Sequence, residues 1–514
     1  MKYLHIFVVF CVLSVHFADK QSNKIDYKKS KDVFDSRDIT ETQVLVIGAG
    51  ISGLEAARLL KQNGVQTLVI EARNRTGGRI WTIQSKNGDI IDLGANSIHG
   101  IDGSIPHGFL SNPLWDLVQQ AKIPTCTVSL RDMKIFNMIN PNIAENLKIW
   151  FDEYMNYVEE ATKTSSRNQS LQQYAEIFFT VKNFTNELQD AFYSYVRTVI
   201  EVNEGTEIST INAKDFVEIA GSFYGLDKVC HDTGYHSIID NIVKDFRDDD
   251  IRFGQIVNKI NYDNDLVEVQ TVNGHAYRSQ YVLITVPLGV LKGRQIMFNP
   301  TLPQWKLNSI DRIGNGLLNK VVLVWNKAWW NSTNYFLRYH TPKPSPFSNW
   351  NNPNKWNDRP TLISLVMGNE ANRIETLTNE QIVNEVLNEL QKMFPNQSIP
   401  IPIESFVTRW KSDPFSNGSY SYISQYQTYE DMIYISKPIA DKLLFAGEAT
   451  AQEWYGYAHG ALLSARREVT RLLHVYELSV NQTQPGSRSV LMNPFKIMII
   501  INIILLEFLS YITK

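Results

Sequence analysis

Hydrophobic positions along this chain change period at one place that orders everything after it. Val44 to Ile47 form a short, fully apolar run that stops at Gly48-Ala49-Gly50-Ile51-Ser52-Gly53. From Leu54 to Leu60 the apolar residues take helical spacing, and Thr67 to Ile70 is a second apolar run ending on Glu71. The pattern predicts strand, glycine turn, amphipathic helix and buried strand, a βαβ unit. Further on, Asp89 to Asn96 reads as a strand entering a loop, and Pro113 to Asn203 as helix-rich. Ile238 to Phe246 reads as a helix, with strands at Ile256–Ile260, Leu266–Val269 and Tyr281–Val286. Leu317–Trp325 and Thr361–Met367 predict strands of a second sheet, and Glu380–Phe394 an amphipathic helix. Lys442–Ala446 is a last strand, followed by Gly447-Glu448 and a helix from Gly460 to Leu473.

The glycine turn carries chemistry. Gly48 permits the tight bend, Gly50 lets backbone amides approach a pyrophosphate, and Gly53 allows helix and strand to touch. The helix start offers its positive dipole end to phosphate. Glu71 follows the last glycine by 71−53=18 residues, where an acid accepts hydrogen bonds from a ribose. A glycine-rich turn alone is the bland alternative; the flanking strands, helix and acid argue against it.

The 514 residues, 43% of them hydrophobic, suffice for two domains or one interleaved pair. A net charge of −3 without basic tracts argues against nucleic acid as a partner. Lys2, the apolar run Ile6–Val15 and Ala18 read as a signal peptide over residues 1–18, although His16 is bulky for a cleavage site. Residues 19–42 are polar and read as a solvated linker. Sequons begin at Asn168, Asn183, Asn331, Asn396, Asn417 and Asn481, and one at Asn74 lies inside the nucleotide loop. Cys126 and Cys230 remain in the mature chain, enough for one disulfide. Residues 479–496 form a second linker, and 497–512 an apolar run that holds Asn502 and Glu507. That run is short for a membrane span. A single-pass helix, the tail of a lipid-anchor signal preceded by Gly486, Ser487 and Ser489, and a buried core helix all remain open. Either of the first two tethers the protein to a membrane through its C-terminus.

Glu71-Ala72-Arg73 followed by Gly77-Gly78-Arg79 resembles the fingerprint of the flavin amine oxidase superfamily. Leu93-Gly94-Ala95-Asn96-Ser97-Ile98-His99-Gly100, Val286-Pro287-Leu288-Gly289-Val290-Leu291, Asn319-Lys320, Gly418-Ser419-Tyr420, Phe445-Ala446-Gly447-Glu448 and Gly456-Tyr457-Ala458-His459-Gly460 extend the likeness over residues 43–473, and it is closest to polyamine oxidases. The resemblance implies an α/β, two-domain fold in which a Rossmann-type FAD-binding domain is interleaved with a substrate domain of mixed sheet and helices. Residues 43–108, 228–296 and 405–478 would build the first, and 109–227 and 297–404 the second. FAD would be held by Gly48, Gly50, Gly53, Glu71, Arg73, Gly78, Arg79, Val257, Trp410 and Glu448. Ser419 stands where monoamine oxidases carry the cysteine bonded to the flavin, so the FAD is expected to be noncovalent.

In the family the lysine matching Lys320 holds a water against the flavin and assists reaction with oxygen; a strand-end lysine reaching solvent is the alternative. Tyr420 and Tyr457 match two aromatic walls that desolvate the amine and favour its neutral form, with Trp454 beside them. His99 and Glu201 match pocket positions that read substrate ammonium groups, although Glu201 could equally form a surface ion pair and His99 be a satisfied core histidine. The flavin carries the redox chemistry, so no Ser/His/Asp or metal cluster is needed and none is evident. The resemblance thus implies oxidation of polyamines of the spermine or spermidine type with O2, giving an aminoaldehyde, a smaller amine and hydrogen peroxide. An L-amino-acid oxidase would need an arginine clamp, which no matched pocket segment clearly provides. A non-enzymatic flavin-carrying surface protein is a third reading.

Overall fold

The computed structural model describes residues 39–104, 107–129, 131–165, 168–219, 223–357 and 359–483. The expected leader, most of the first linker and the C-terminal apolar run lie outside these residues. Among the described residues no helix is long and apolar enough to cross a membrane.

The first strand, Ile39–Ile47, lies at the centre of an eight-stranded sheet. It pairs in parallel with Thr67–Ile70 on one side and Ala276–Ile284 on the other. The strand begins earlier than its apolar run, because backbone pairing carries it back to Ile39↔Ala276. Residues 39–42, expected at the end of a solvated linker, therefore belong to the sheet. Ala276–Ile284 also pairs in parallel with Leu443–Phe445 and antiparallel with Val267–Thr271. One face of this sheet is covered by the helices Ile51–Gln62, Ser237–Val243 and Ala458–Thr483 around Leu54, Leu60, Ile239 and Leu462. The other face packs Leu45, Ile70 and Phe445 against Ile310, Ile313 and Ile435.

A second, six-stranded sheet holds the strands Leu318–Val324 and Thr361–Met367 in antiparallel register, with Lys320 opposite Leu365. Helix Asn379–Met393 packs Ile382, Val386 and Leu390 beneath it, and its Thr378 capping box fixes where it starts. A bundle built from Pro141–Thr164, Leu171–Lys182 and Asn186–Val196 adds its own aromatic core around Tyr154, Phe178 and Phe192.

The chain crosses between these units at places other than the expected boundaries. Helix Pro113–Ala121 buries Leu114, Leu117 and Val118 in the core of the first sheet, not in the substrate half. Strand Met297–Asn299 pairs with Val257–Asn261, and helix Gln304–Arg312 packs its Ile310 in the same core. Passage to the second sheet comes at Gly314–Gly316, which pairs with Tyr420–Tyr422. On return, Glu404–Val407 still belongs to the second sheet. Burial of Leu302, Ile310 and Ile313, not the end of a strand, decides where the chain leaves the first unit.

Two local devices went unread in the sequence. Cys126 and Cys230 are free thiols, so the disulfide left open above is not formed. Lys306 is fully buried, and its ammonium donates to the carbonyls of Tyr434, Ile435 and Lys437 at 2.9, 2.8 and 2.6 Å. It closes the C-terminus of helix Tyr429–Ser436 and lies 3.8 Å from the centroid of the Phe445 ring. A cation at a helix C-terminus meets both the dipole and the orphan carbonyls. Lys306→Ala, which strands three carbonyls, that of Ile435 buried, is expected to cost about 2 kcal/mol, read as a lower midpoint in a denaturant titration.

Candidate active site

The glycine turn folds as its spacing requires. Gly48 has φ +109°, and a Cβ on Gly53 would collide with the Gly48 carbonyl oxygen. Gly50 precedes helix Ile51–Gln62 with no side-chain cap, so the first amides of that helix remain free for an anion. Glu71 lies at the end of its strand and accepts the Ala49 N–H at 2.7 Å and the Arg73 N–H at 2.8 Å. Gly77 donates its N–H to Ala49 at 2.8 Å, and Gly78 (φ +59°) brings the second glycine turn against Gly50. Gln255 and Gly254 donate their N–H groups to the carbonyls of Glu71 and Arg73, which sets Val257 close to the acid.

Arg73 pairs with Asp413 at 2.8 Å and donates to Ser416. Arg79 reaches across to the last segment, donating to the Ser419 carbonyl at 2.9 Å and to Glu448 at 2.8 Å. The other oxygen of Glu448 accepts from Gly456 N–H at 2.7 Å and from the Ser421 hydroxyl. A cleft lined by Arg79, Val286, Gly447 and Glu448 opens here. A free helix start, a bare-glycine cradle and an acid at the ribose position fit a dinucleotide, and the second glycine turn and Arg79 lead on to the other half. The Ser419 hydroxyl donates to the Leu318 carbonyl and accepts its N–H, both at 2.9 Å, which leaves no thiol for a covalent link.

Lys320 sits in the strand Leu318–Val324 with 4% of its surface exposed, so it does not reach solvent. Its ammonium donates to the carbonyls of Asp92 and Gly94 at 2.8 and 2.7 Å, and to Asn96 Oδ1 at 3.0 Å. Burial pulls its pKa down to about 8, opposed by the Asp92 charge. Asp92 itself is pushed up by burial, against hydrogen bonds from the Thr82 hydroxyl and the Tyr235 N–H. Trp410 is buried beside this strand, its N–H donating to Asn319 and its ring edge-on to Trp81 at 6.2 Å.

Three tyrosines and one acid build the adjoining slot. Burial raises the pKa of Tyr420, Tyr455 and Tyr457, that of Tyr457 to about 12, and Glu204 is the largest charge acting on each. A Cβ on Gly205 (φ +65°) would stand 3.1 Å from the Tyr420 hydroxyl, so this glycine makes room for the ring. Glu204 has no hydrogen-bond or ion-pair partner among the described residues, and burial lifts its pKa to about 7. Tyr457 keeps 37% of its surface exposed and has two histidines against it. His459 stacks on its ring at 4.9 Å, and His99 approaches edge-on at 5.2 Å. Trp454 stacks on Phe223 at 5.5 Å further out.

Glu201 is not the acid of this slot. It ends the π-helical turn Arg197–Glu201, pairs with Arg197 at 3.3 Å and accepts the Ile208 N–H at 3.1 Å. The wider turn shifts the register, so Glu204, three residues on and just before Gly205, is the carboxyl left without a protein partner among the described residues. Both carboxyls stand in Val199-Ile200-Glu201-Val202-Asn203-Glu204-Gly205, and only the turn separates them. Glu201→Ala leaves Arg197 unpaired in the interior. It is expected to cost about 3 kcal/mol of stability, with catalytic constants per folded enzyme changed less than about threefold, checked by thermal melts beside steady-state kinetics.

Comparison with known proteins follows this geometry. The flavin containing amine oxidoreductase family matches residues 51–473. Polyamine oxidase 2 of Arabidopsis thaliana is 31% identical over 86% of this chain and 91% of its own. Lysine-specific histone demethylase 1 homolog 3 of Arabidopsis thaliana is 29% identical over 90% of this chain, and lysine-specific histone demethylase 2 of Homo sapiens 28% over 85%. This chain spans 32% and 54% of the length of those two demethylases. A solved structure of a putrescine oxidase redesigned in its cofactor binding superposes with a TM-score of 0.67 at 18% identity, over 85% of this chain and all of that one.

Proposed function

Because the chain belongs to the flavin containing amine oxidoreductase family, with FAD as its noncovalent cofactor, we propose that it oxidises polyamines at a secondary amine. The products are an aminoaldehyde, a smaller amine and hydrogen peroxide. The observation that carries this reading is Glu204, a carboxylate without a protein partner set against Tyr420, Tyr455 and Tyr457. A half-buried acid left unpaired is free to take a cation from outside, and aromatic walls suit a thin alkyl chain that carries one. Polyamine oxidase 2, similar over 91% of its length, supports the same class.

When bound, FAD would supply two-electron chemistry between the amine and O2, with the resulting imine open to hydrolysis by water. Arg79 and the free amides after Gly50 would hold the dinucleotide phosphates, and Glu71 the ribose. Tyr420 and Tyr457 exclude water from the amine, which lowers its pKa toward the neutral form. Glu204 orients the chain through a neighbouring ammonium group. Lys320, held by three oxygens, would supply a fixed positive charge for O2 as it gains negative charge.

The test is a substrate panel with peroxide as readout and products identified by mass: spermine, spermidine, their acetyl forms, diamines, monoamines, L-amino acids and a methyl-lysine peptide. Turnover of polyamines above all others is expected; peroxide only from the peptide or from amino acids rejects the reading. We propose further that the enzyme passes through the secretory pathway, which exposed sequon asparagines at 168, 183, 331 and 396 support. Asn417 donates to the Gly289 carbonyl at 2.8 Å and is not expected to carry glycan. A mobility shift on glycosidase treatment of the native protein checks this.

A further inference from the structure

A second acid meets Tyr457 from the solvent side. Asp227 opens the strand Asp227–Val229, which pairs with Cys126–Val128. Its Oδ2 lies 3.0 Å from His99 Nδ1, and its Oδ1 accepts the Gly100 N–H at 2.9 Å. The His99 ring in turn stands edge-on to Tyr457. His99 and Asp227 keep 48% and 36% of their side-chain surface exposed, so the pair belongs to the mouth of the slot. Tyr457 feels both carboxylates.

The neighbouring groups do not cancel the charge of Asp227. Lys228 commits its ammonium to the Thr127 hydroxyl at 2.6 Å and to the face of Trp115. His459 is kept neutral, its pKa lowered to about 3 by burial and then by His99. Burial pushes the Asp227 carboxyl up, but the hydrogen bonds from the His99 ring and the Gly100 N–H outweigh it and hold the group below the ordinary carboxylate range. An imidazole that donates from Nδ1 to Asp227 leaves Nε2 as its acceptor. The pair then offers a fixed negative charge and an acceptor nitrogen beside the Tyr457 ring.

We propose that Asp227, with the His99 ring it orients, is a specificity-determining site for a second ammonium group of the substrate, one that projects from the mouth while the reacting nitrogen lies inside. It rests on the amine-oxidising reading of the slot and extends it to chain length. A monoamine engages Glu204 alone; a triamine or tetraamine spans both. Asp227 touches no reacting atom, so its effect falls on binding and not on the chemical step.

The experiment compares wild type with Asp227→Asn, both FAD-loaded, on a monoamine, a diamine, spermidine and spermine. For the two longer amines KM is expected to rise about fivefold, with kcat within about twofold and the KM of the monoamine unchanged. A measurement without the variant runs beside it: the wild-type KM for spermine should climb more steeply with ionic strength than that for the monoamine. The equilibrium Kd of anaerobic, dithionite-reduced enzyme for spermine, by calorimetry, should weaken by the same factor in the variant. Equal KM changes for every amine, or none, overturn the assignment of Asp227 and leave the proposed activity standing. A wild-type enzyme that stays oxidised in anaerobic polyamine overturns both.

Discussion

Lys320→Met is expected to slow reaction of the substrate-reduced enzyme with O2 by about 100-fold while the KM for amine stays within about twofold. Stopped-flow mixing of anaerobically reduced enzyme with oxygenated buffer measures it, and retention of the yellow chromophore through gel filtration shows that cofactor is still held. The reasoning is electrostatic. O2 takes up negative charge on its way to peroxide, and a preorganised cation in a water-excluded site stabilises that charge without reorganising. In wild type the oxygen rate constant should fall as pH rises through about 8, where the ammonium loses its proton, and the variant should lack that limb. The variant carries a stability effect too. Asp92 O, Gly94 O and Asn96 Oδ1 lose their common donor, at a cost of about 2 kcal/mol. Against this, the wild-type lysine is itself disfavoured when charged. Its folded pKa lies below the unfolded value, so the unfolded chain binds more protons between the two and stability rises with pH from about 8 upward. Lys320→Met should remove that slope. An unchanged oxygen rate constant would exclude Lys320 from the reaction with O2.

How much of this was legible in the sequence depends on where the information is stored. The nucleotide half is written locally. The apolar run, the glycines and Glu71 each act within about thirty residues of the others, and Thr67–Ile70 and Thr361–Met367 fold with the bounds their apolar runs predict. What failed to show was settled by distant partners. Ile39–Thr42 reads as polar linker, because what makes it a strand is backbone pairing with residues 276–279. Strands Phe336–His340 and Asn349–Asn351 are too short, at 5 and 3 residues, for their alternation to stand out, and one face of each is polar yet buried. Arg338 donates to the Leu337 and Trp350 carbonyls, and His340 lies 3.2 Å from the Thr198 hydroxyl. Lys306 looked like any helix-surface lysine until three carbonyls from a helix 128 to 131 residues away closed around it.

The site divides in the same way. Lys320, Tyr420, Tyr457 and Arg79 were named through motifs; Arg79 meets Ser419 and Glu448, and Tyr457 has His99 and His459 against its ring. The sequence singled out Glu201, whereas the carboxyl without a protein partner among the described residues is Glu204, three residues on. Helical periodicity treats Glu201 and Glu204 as neighbours on one surface, while the π-helical turn gives one to Arg197 and Ile208 and leaves the other unpaired. Asp227 carried no local signal. It matters only because the loop through His99 folds back onto the strand that it opens.

Glu204→Gln separates recognition from stability by opposite signs. Loss of a charge-assisted contact to an ammonium group should lower kcat/KM for spermine about 30-fold, mostly through KM, since Tyr420 and Tyr457 still wall the reacting nitrogen. The wild-type carboxyl has its folded pKa raised by burial to about 7, above the ordinary glutamate value of 4.5. Only the ionised form attracts the cation, so kcat/KM should climb as pH rises through about 7 in wild type, and this limb should be absent in the variant. Stability moves the other way. Between those two pKa values the folded protein binds a proton that the unfolded chain does not, so this group makes the fold less stable as pH rises from 4.5 to 7, and above 7 the whole penalty is present. A neutral glutamine removes that penalty, and the variant should melt at a higher temperature than wild type at pH 8 although its activity is lower. A variant that loses stability and activity together would make Glu204 a structural group and remove the basis for a cation in the slot. Equal melting at pH 5 with a gain at pH 8 is the pattern expected of a binding carboxylate held unpaired for its substrate.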